Sequence, residues 1–198
     1  MSNLYYLSAY KNKIINLLLK DKNFRALIDP SDSECKELDV IDVLLGGEWI
    51  IDGERYKEQG YVFDHNFANE FTVEKKTFVF VEADINAIEN EFFTGFNLYI
   101  CIFTDKDLVR ITDVTSPTVT EVKNMGCFAG SVANRIDALC DVVDRILNGN
   151  EKIKGIGLIK PSKRGFCTNF CPNNRYYGKC LTYNISNLNE SDFNTCDD

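Results

Sequence analysis

Apolar side chains at Leu4, Leu7, Ile14, Ile15, Leu18 and Leu19 recur every three or four positions, with Lys11, Lys13, Asn16 and Lys20 between them. That period places one apolar stripe on a helix, so the N-terminus predicts an amphipathic helix. Phe24, Leu27 and Ile28 continue the stripe to Asp29-Pro30-Ser31-Asp32, where proline and short polar side chains end it. A short helix is predicted over 37–45, before Gly46-Gly47, and 48–71 reads as irregular, broken at Gly53 and Gly60. The texture then changes. Residues 77–85 (TFVFVEADI) and 96–104 (FNLYICIFT) are β-branched and aromatic almost throughout, as expected of strands buried on much of both faces, and they are expected to pair in a central sheet. The link at 86–95 suits a helical turn or a wide hairpin loop.

Residues 110–129 are rich in Thr and Val and contain Pro117 and Gly126, which predicts a protruding loop or an edge hairpin. Ser131 offers an N-cap hydroxyl to a second helix whose stripe is Val132, Ile136, Leu139, Val143, Ile146 and Leu147, with Gly149 just past its end. Asn134, Asp137, Asp141, Asp144 and Arg145 fall on the other side, a solvated face on which Asp141 and Arg145 pair at i,i+4. Residues 155–159 and 176–188 predict further strands, the latter alternating Tyr177, Lys179, Leu181, Tyr183 and Ile185 against Gly178, Cys180, Thr182 and Asn184. Helix, strands, helix, strands is not a strict βαβα alternation. The expected class is therefore α+β: a central, mostly antiparallel β-sheet, with the N-terminal amphipathic helix and the second long helix packed on one face. The 198 residues suit a single domain over 1–198, with loop elaborations at about 110–129 and 165–174.

Charge narrows the function. Lys and Arg number 22 against 30 Asp and Glu, a net charge of -8, which is the wrong sign for gripping phosphates. It suits a channel wall past which DNA slides without sticking. The chain has no apolar run of about 18 residues, and its N-terminus lacks a basic segment ahead of an apolar core, so neither a membrane span nor secretion is expected. Cysteines at 35, 101, 127, 140, 167, 171, 180 and 196 are irregularly spaced, which with no signal peptide predicts reduced thiols in a cytoplasm.

Three constellations are candidates for chemistry. Cys167, Cys171 and Cys180 are the densest soft ligands, but their spacing lacks paired C-x2-C knuckles and the fourth ligand of structural zinc, so a loop with reduced cysteines is the simpler reading. Asp64, Glu74 and Lys76, supplemented by Glu82 and Asp84, can be set into the carboxylate and E-x-K pattern of metal-dependent nucleases, a pattern that arises readily by chance in an acidic chain. His65, the only histidine, has no sequence-identifiable partner for nucleophilic catalysis, and no phosphate-binding glycine motif occurs. Neither catalysis nor a cofactor or metal is expected. A fourth feature points to assembly: 60–71 is too irregular for a core element and too apolar for a solvated loop, which marks Tyr61, Phe63, Phe67 and Phe71 as a candidate subunit-interface arm.

The series formed by the first helix, YVFDHNF, TFVFVEADI, FNLYICIFT, NRIDALCDVVDRILNGN, GIGLIKPS and YYGKCLTYNISNLN resembles the small neck and tail-completion proteins of bacteriophages over nearly the whole chain. Within that group the chain looks most like tail-terminator or head-to-tail joining proteins, chiefly through Asn134-Arg135-Ile136-Asp137 and the segment from Tyr176 to Tyr183. The resemblance implies a structural virion protein, assembled in the host cytoplasm into a ring of its own copies, typically a hexamer. Such a ring ends the tail tube, meets the head connector and lets DNA through without specific binding. A head-completion or stopper protein is the nearest alternative, and a metal-dependent nuclease a more distant one. The insertion at 165–174, the Thr-rich stretch at 112–126 and the abundant cysteine depart from a minimal member and leave the position within the neck open.

Overall fold

The amphipathic stripe forms α1 (Asn3–Lys20), which buries Tyr10, Ile14, Ile15, Leu18 and Leu19. The stripe does not run on unbroken. Asp21 leaves the helix and its carboxylate accepts from the backbone N–H groups of Asn23 and Phe24, at 2.8 and 2.9 Å, so it caps a separate α2 (Lys22–Ile28). The computed structural model describes residues 3–28, 39–58, 60–65, 75–89, 92–111, 128–129, 132–148 and 156–186. The turn expected at 29–32 lies outside them. The predicted helix over 37–45 is present as α3 (Val40–Leu45), with Asp39 capping Ile41.

Strands β1 (Gly47–Ile51) and β2 (Glu54–Glu58) form a two-stranded hairpin, and β3 (Val62–Phe63) follows. The expectation that 48–71 is irregular therefore fails over 48–58 and at 62–63. Strands β4 (Thr77–Glu89) and β5 (Phe92–Asp105) pair antiparallel from Thr77↔Thr104 to Glu89↔Phe92, with register shifts around Ala87. They are longer than their apolar centres imply and occupy most of the link expected to hold a helical turn or a wide hairpin loop. Short strands β6 (Arg110–Ile111), β7 (Phe128–Ala129) and β8 (Val132–Asn134) make a small separate sheet. Residues 112–127 of the expected loop lie outside the described residues.

The second long helix, α4, spans Arg135–Leu147. Its cap is Asn134, whose side chain accepts from Ile136 and Asp137, and Val132 belongs to β8, so the predicted start at Ser131 is three residues early. Asn134 was expected on the solvated face; a short polar side chain there instead closes the helix end. Strands β9 (Leu158–Pro161), β10 (Cys167–Asn169) and β11 (Tyr176–Ser186) complete the main sheet, whose order is β10-β11-β5-β4-β3 with β9 also on β11. All its pairings are antiparallel except β3 with β4. The class is α+β, as the pattern predicts.

The sheet has two unlike faces. On one, Val79, Val81, Leu98, Ile100, Ile102, Leu181, Tyr183 and Ile185 pack with Ile14 and Leu18 of α1, Phe24 of α2 and Ile136, Leu139 and Val143 of α4. On the other, Phe78, Phe80, Phe103 and Tyr176 form a buried aromatic cluster, with Phe63, Cys101 and Phe170 against it. Ring centroids in this cluster lie 5.0 to 6.4 Å apart in tilted or edge-on pairs, the arrangement that ring quadrupoles favour. Two polar anchors tie the elements together. Arg135 is buried and donates to the carbonyls of Leu27 (2.6 Å) and Leu108 (3.0 Å), joining α2, α4 and the turn after β5. Asp105 accepts from the Asp107 N–H (3.0 Å) and Arg175 Nε (2.5 Å), fixing the end of β5 to the start of β11.

Candidate functional site

The β1–β2 hairpin turns through Asp52-Gly53, both at positive φ (52° and 86°). A two-residue turn of this handedness matches the natural twist of paired strands, and Asp-Gly is among its preferred sequences. Trp49 stands opposite Tyr56, both half-buried, and the indole folds back over Gly47. Ile50 stands opposite Arg55, and Lys57 pairs with Glu48 at 3.6 Å. The hairpin is a sheet of its own, and Ile50 is 74% exposed, the most exposed large apolar side chain among the described residues. It presents an apolar contact point at Ile50. The sequence signal for it is Asp52-Gly53 between two short runs that carry Trp49, Ile50, Ile51 and Tyr56, a signal hidden when Gly53 is read as a breaker.

Of the expected arm at 60–71, residues 60–65 are described, and Tyr61 and Phe63 face inward. Tyr61 is buried in the main core; its N–H donates to Leu44 O and its carbonyl accepts from Val79 N–H, both at 2.8 Å, and Lys76 lies over its ring at 4.9 Å. Gly60 (φ +78°) allows this approach, since a Cβ there would lie 2.7 Å from Leu45 O. Phe63 packs on Phe80 and Phe78 in the aromatic cluster. These two rings thus serve the protomer's own interior, because β3 runs beside β4. Phe67 and Phe71 lie outside the described residues.

Of the nuclease candidates, Glu74 also lies outside them. Asp64 is exposed and hydrogen-bonds its neighbour His65, and that bond holds its carboxyl below the usual range against the opposing effect of partial burial. Lys11 donates to Asp64 O (2.6 Å) and Glu82 Oε1 (3.2 Å), so a cation from α1 occupies the space between these two positions. Lys76 is turned to Tyr61, and Asp84 is exposed. No group of three or more metal-ligating side chains gathers among the described residues.

The three clustered cysteines do not converge. Cys167 stands opposite Leu181 on the helix-covered face, beside Cys140 of α4, whereas Cys180 stands opposite Thr168 and Cys101 on the other face. Cys171 is exposed. Burial pushes the Cys140 thiol up to about 12. Cys101 and Cys180, by contrast, bring their Sγ atoms to 2.7 Å, a pairing that no sequence spacing indicates.

The polar face of α4 is less solvated than expected. Asp141 and Arg145 do pair, at 2.9 Å, but Lys179 of β11 reaches Asp137 at 2.6 Å and Tyr183 Oη donates to Asp144 at 3.1 Å. Two of the acidic residues therefore clamp the helix to the sheet. Among the described residues no helix is long and apolar enough to cross a membrane.

A family model named YomW, the name of a phage-derived, SPbeta-like prophage protein, matches residues 12–185. No curated protein and no solved structure matches the chain.

Proposed function

This chain belongs to the YomW family, which makes it a phage-type protein, and we propose that it is a non-enzymatic structural component of the virion neck or tail. In this reading its copies close into a ring, typically a hexamer, that ends the tail tube and joins it to the head connector. The observation that carries the reading is the β1–β2 arm, a hairpin stabilised by its own turn and pairing that presents Ile50 to solvent. A closed ring needs two different patches on each subunit, one docking on the other in the next copy. In this reading the hairpin supplies the first patch. The acidic balance of the chain fits a lumen that lets DNA pass.

Crosslinking mass spectrometry on assembled particles tests this. Lys57 in the arm is expected to link to a neighbouring copy, distinguished by mixing isotopically light and heavy subunits. Links confined to a single copy contradict the ring.

A further inference from the structure

We propose that Cys101 and Cys180 form a redox site, a cross-strand dithiol that a low-molecular-weight disulfide such as oxidised glutathione converts to a disulfide joining β5 to β11. The inference is independent of ring formation. The two residues are direct register partners, with Sγ atoms 2.7 Å apart. Their place in the ladder is the favourable one. Ser162 N–H donates to Thr182 O, Thr182 N–H to Phe166 O, and Phe170 N–H to Gly178 O. Backbone groups at 178 and 182 therefore point away from β5, and the alternation of an antiparallel ladder gives position 180 the same direction. Cys101 and Cys180 are thus a non-hydrogen-bonded pair, the type in which Cα atoms come within about 4.5 Å. That separation lies inside the span of about 4.4–6.8 Å that a disulfide bridges. Gly178, two residues before Cys180, keeps the strands close, because a Cβ there would lie 2.3 Å from Ile102 O.

The surroundings suit exchange with a small reagent. Both thiols are half-buried: Cys101 leans on the aromatic cluster, and Cys180 lies beside the edge strand β10. Either thiol can donate across the contact; with Cys180 as the thiolate, the Cys101 S–H stabilises it, which lowers the pKa of Cys180 and raises that of Cys101. Cys180 is therefore the attacking group. Its thiolate, having lost a proton to solvent, attacks one sulfur of the reagent, forming a mixed disulfide and expelling one reagent thiolate. That thiolate takes the Cys101 proton. The Cys101 sulfur then attacks Cys180 Sγ, forming the intrachain bond and expelling the second reagent thiolate, which is protonated by solvent. Two protein thiols are oxidised and one reagent disulfide is reduced to two thiols.

The bond closes the loop from 101 to 180, which contains α4, β9 and β10. Such closure raises the thermal midpoint by roughly 5–15 °C. The neighbouring Cys140 and Cys167 are the internal comparison, a half-buried thiol beside an exposed one.

The test uses the full chain, purified reduced and then exposed to oxidised glutathione. A non-reducing peptide map should show the 101–180 link forming ahead of any other, with the higher melting midpoint, and neither should appear when the same reaction is run in guanidinium. In Cys101→Ser the closing thiol is absent, so glutathione should stay attached to Cys180. Should that variant fail to fold, the wild-type map decides alone. A first link between another pair, or a stable glutathione adduct on wild-type Cys180, overturns the proposal.

Discussion

Replacing Arg135 with Met should destabilise the protein by about 2–4 kcal/mol, although Arg135 lies in none of the candidate sites. Its side chain is 7% exposed and donates to Leu27 O at 2.6 Å and Leu108 O at 3.0 Å. Leu27 belongs to the last turn of α2, where carbonyls lack helical partners and a cation is favoured by the helix dipole. Arg135 is also the first residue of α4, the helix end that disfavours a cation, so its charge serves α2 and the turn after β5. Hydrogen bonds from a charged donor contribute about 1.5–3 kcal/mol each. Met retains the aliphatic volume but leaves both carbonyls unsatisfied, and avoiding the burial of a guanidinium offsets part of the loss. For a chain of this size the midpoint should fall by roughly 4–16 °C. Arg145→Met is the control: its 2.9 Å pair with Asp141 is exposed and contributes about 1 kcal/mol or less. Urea unfolding of both variants, at an unchanged denaturant slope, measures the difference. Equal losses in the two would refute the assignment of Arg135 as an anchor between α2, α4 and the turn.

Asp105→Asn should destabilise the fold at neutral pH by about 2–3 kcal/mol, since it breaks the Arg175 pair at a buried position. Burial alone would raise the Asp105 pKa, but the Asp107 N–H and the Arg175 guanidinium outweigh it, so the folded value lies below the ordinary one. The unfolded chain therefore binds the proton first as pH falls. The stabilisation is complete above about pH 4 and fades as the pH drops through the folded value, so melting curves of variant and wild type should converge in acid. Gly178→Ala brings a methyl within 2.5 Å of Phe103 Cβ and 2.3 Å of Ile102 O, and should cost about 2–3 kcal/mol in chemical unfolding; an unchanged midpoint would contradict the close approach of β5 and β11. Ile50→Asp removes an exposed contact, so it should leave the subunit within about 0.5 kcal/mol of wild type while preventing its incorporation into particles. Melting curves and particle proteomics together read both halves of that expectation.

The elements legible in the sequence are those whose burial dictates composition. β4 and β5 are apolar on both faces at their centres because helices cover one side and an aromatic cluster fills part of the other, and β11 is apolar along its helix-covered face. The helical stripe of α4 is equally plain, and the α+β class follows from the order of such segments. What escaped the reading is polar and local. Asp21 and Asn134 resemble ordinary solvated residues until their backbone partners are known. The hairpin shows only a partial alternation, so its signal rests on Asp52-Gly53, a dipeptide that equally marks a break between elements. Aromatic content also misled at two positions of the expected arm. Tyr61 and Phe63 sit in irregular sequence, yet β3 pairs with β4 and carries them inward. The Cys101–Cys180 pair spans 79 positions and depends on the register of β5 against β11, which only the fold supplies.

Cryo-electron microscopy of phage particles containing this chain tests the structural role most directly. The account predicts a closed ring of its copies between head and tail, around an axial channel, with the β1–β2 hairpin of each subunit resting on the next. Particles complete without the chain, with the protein found only free in the host cell, would contradict it.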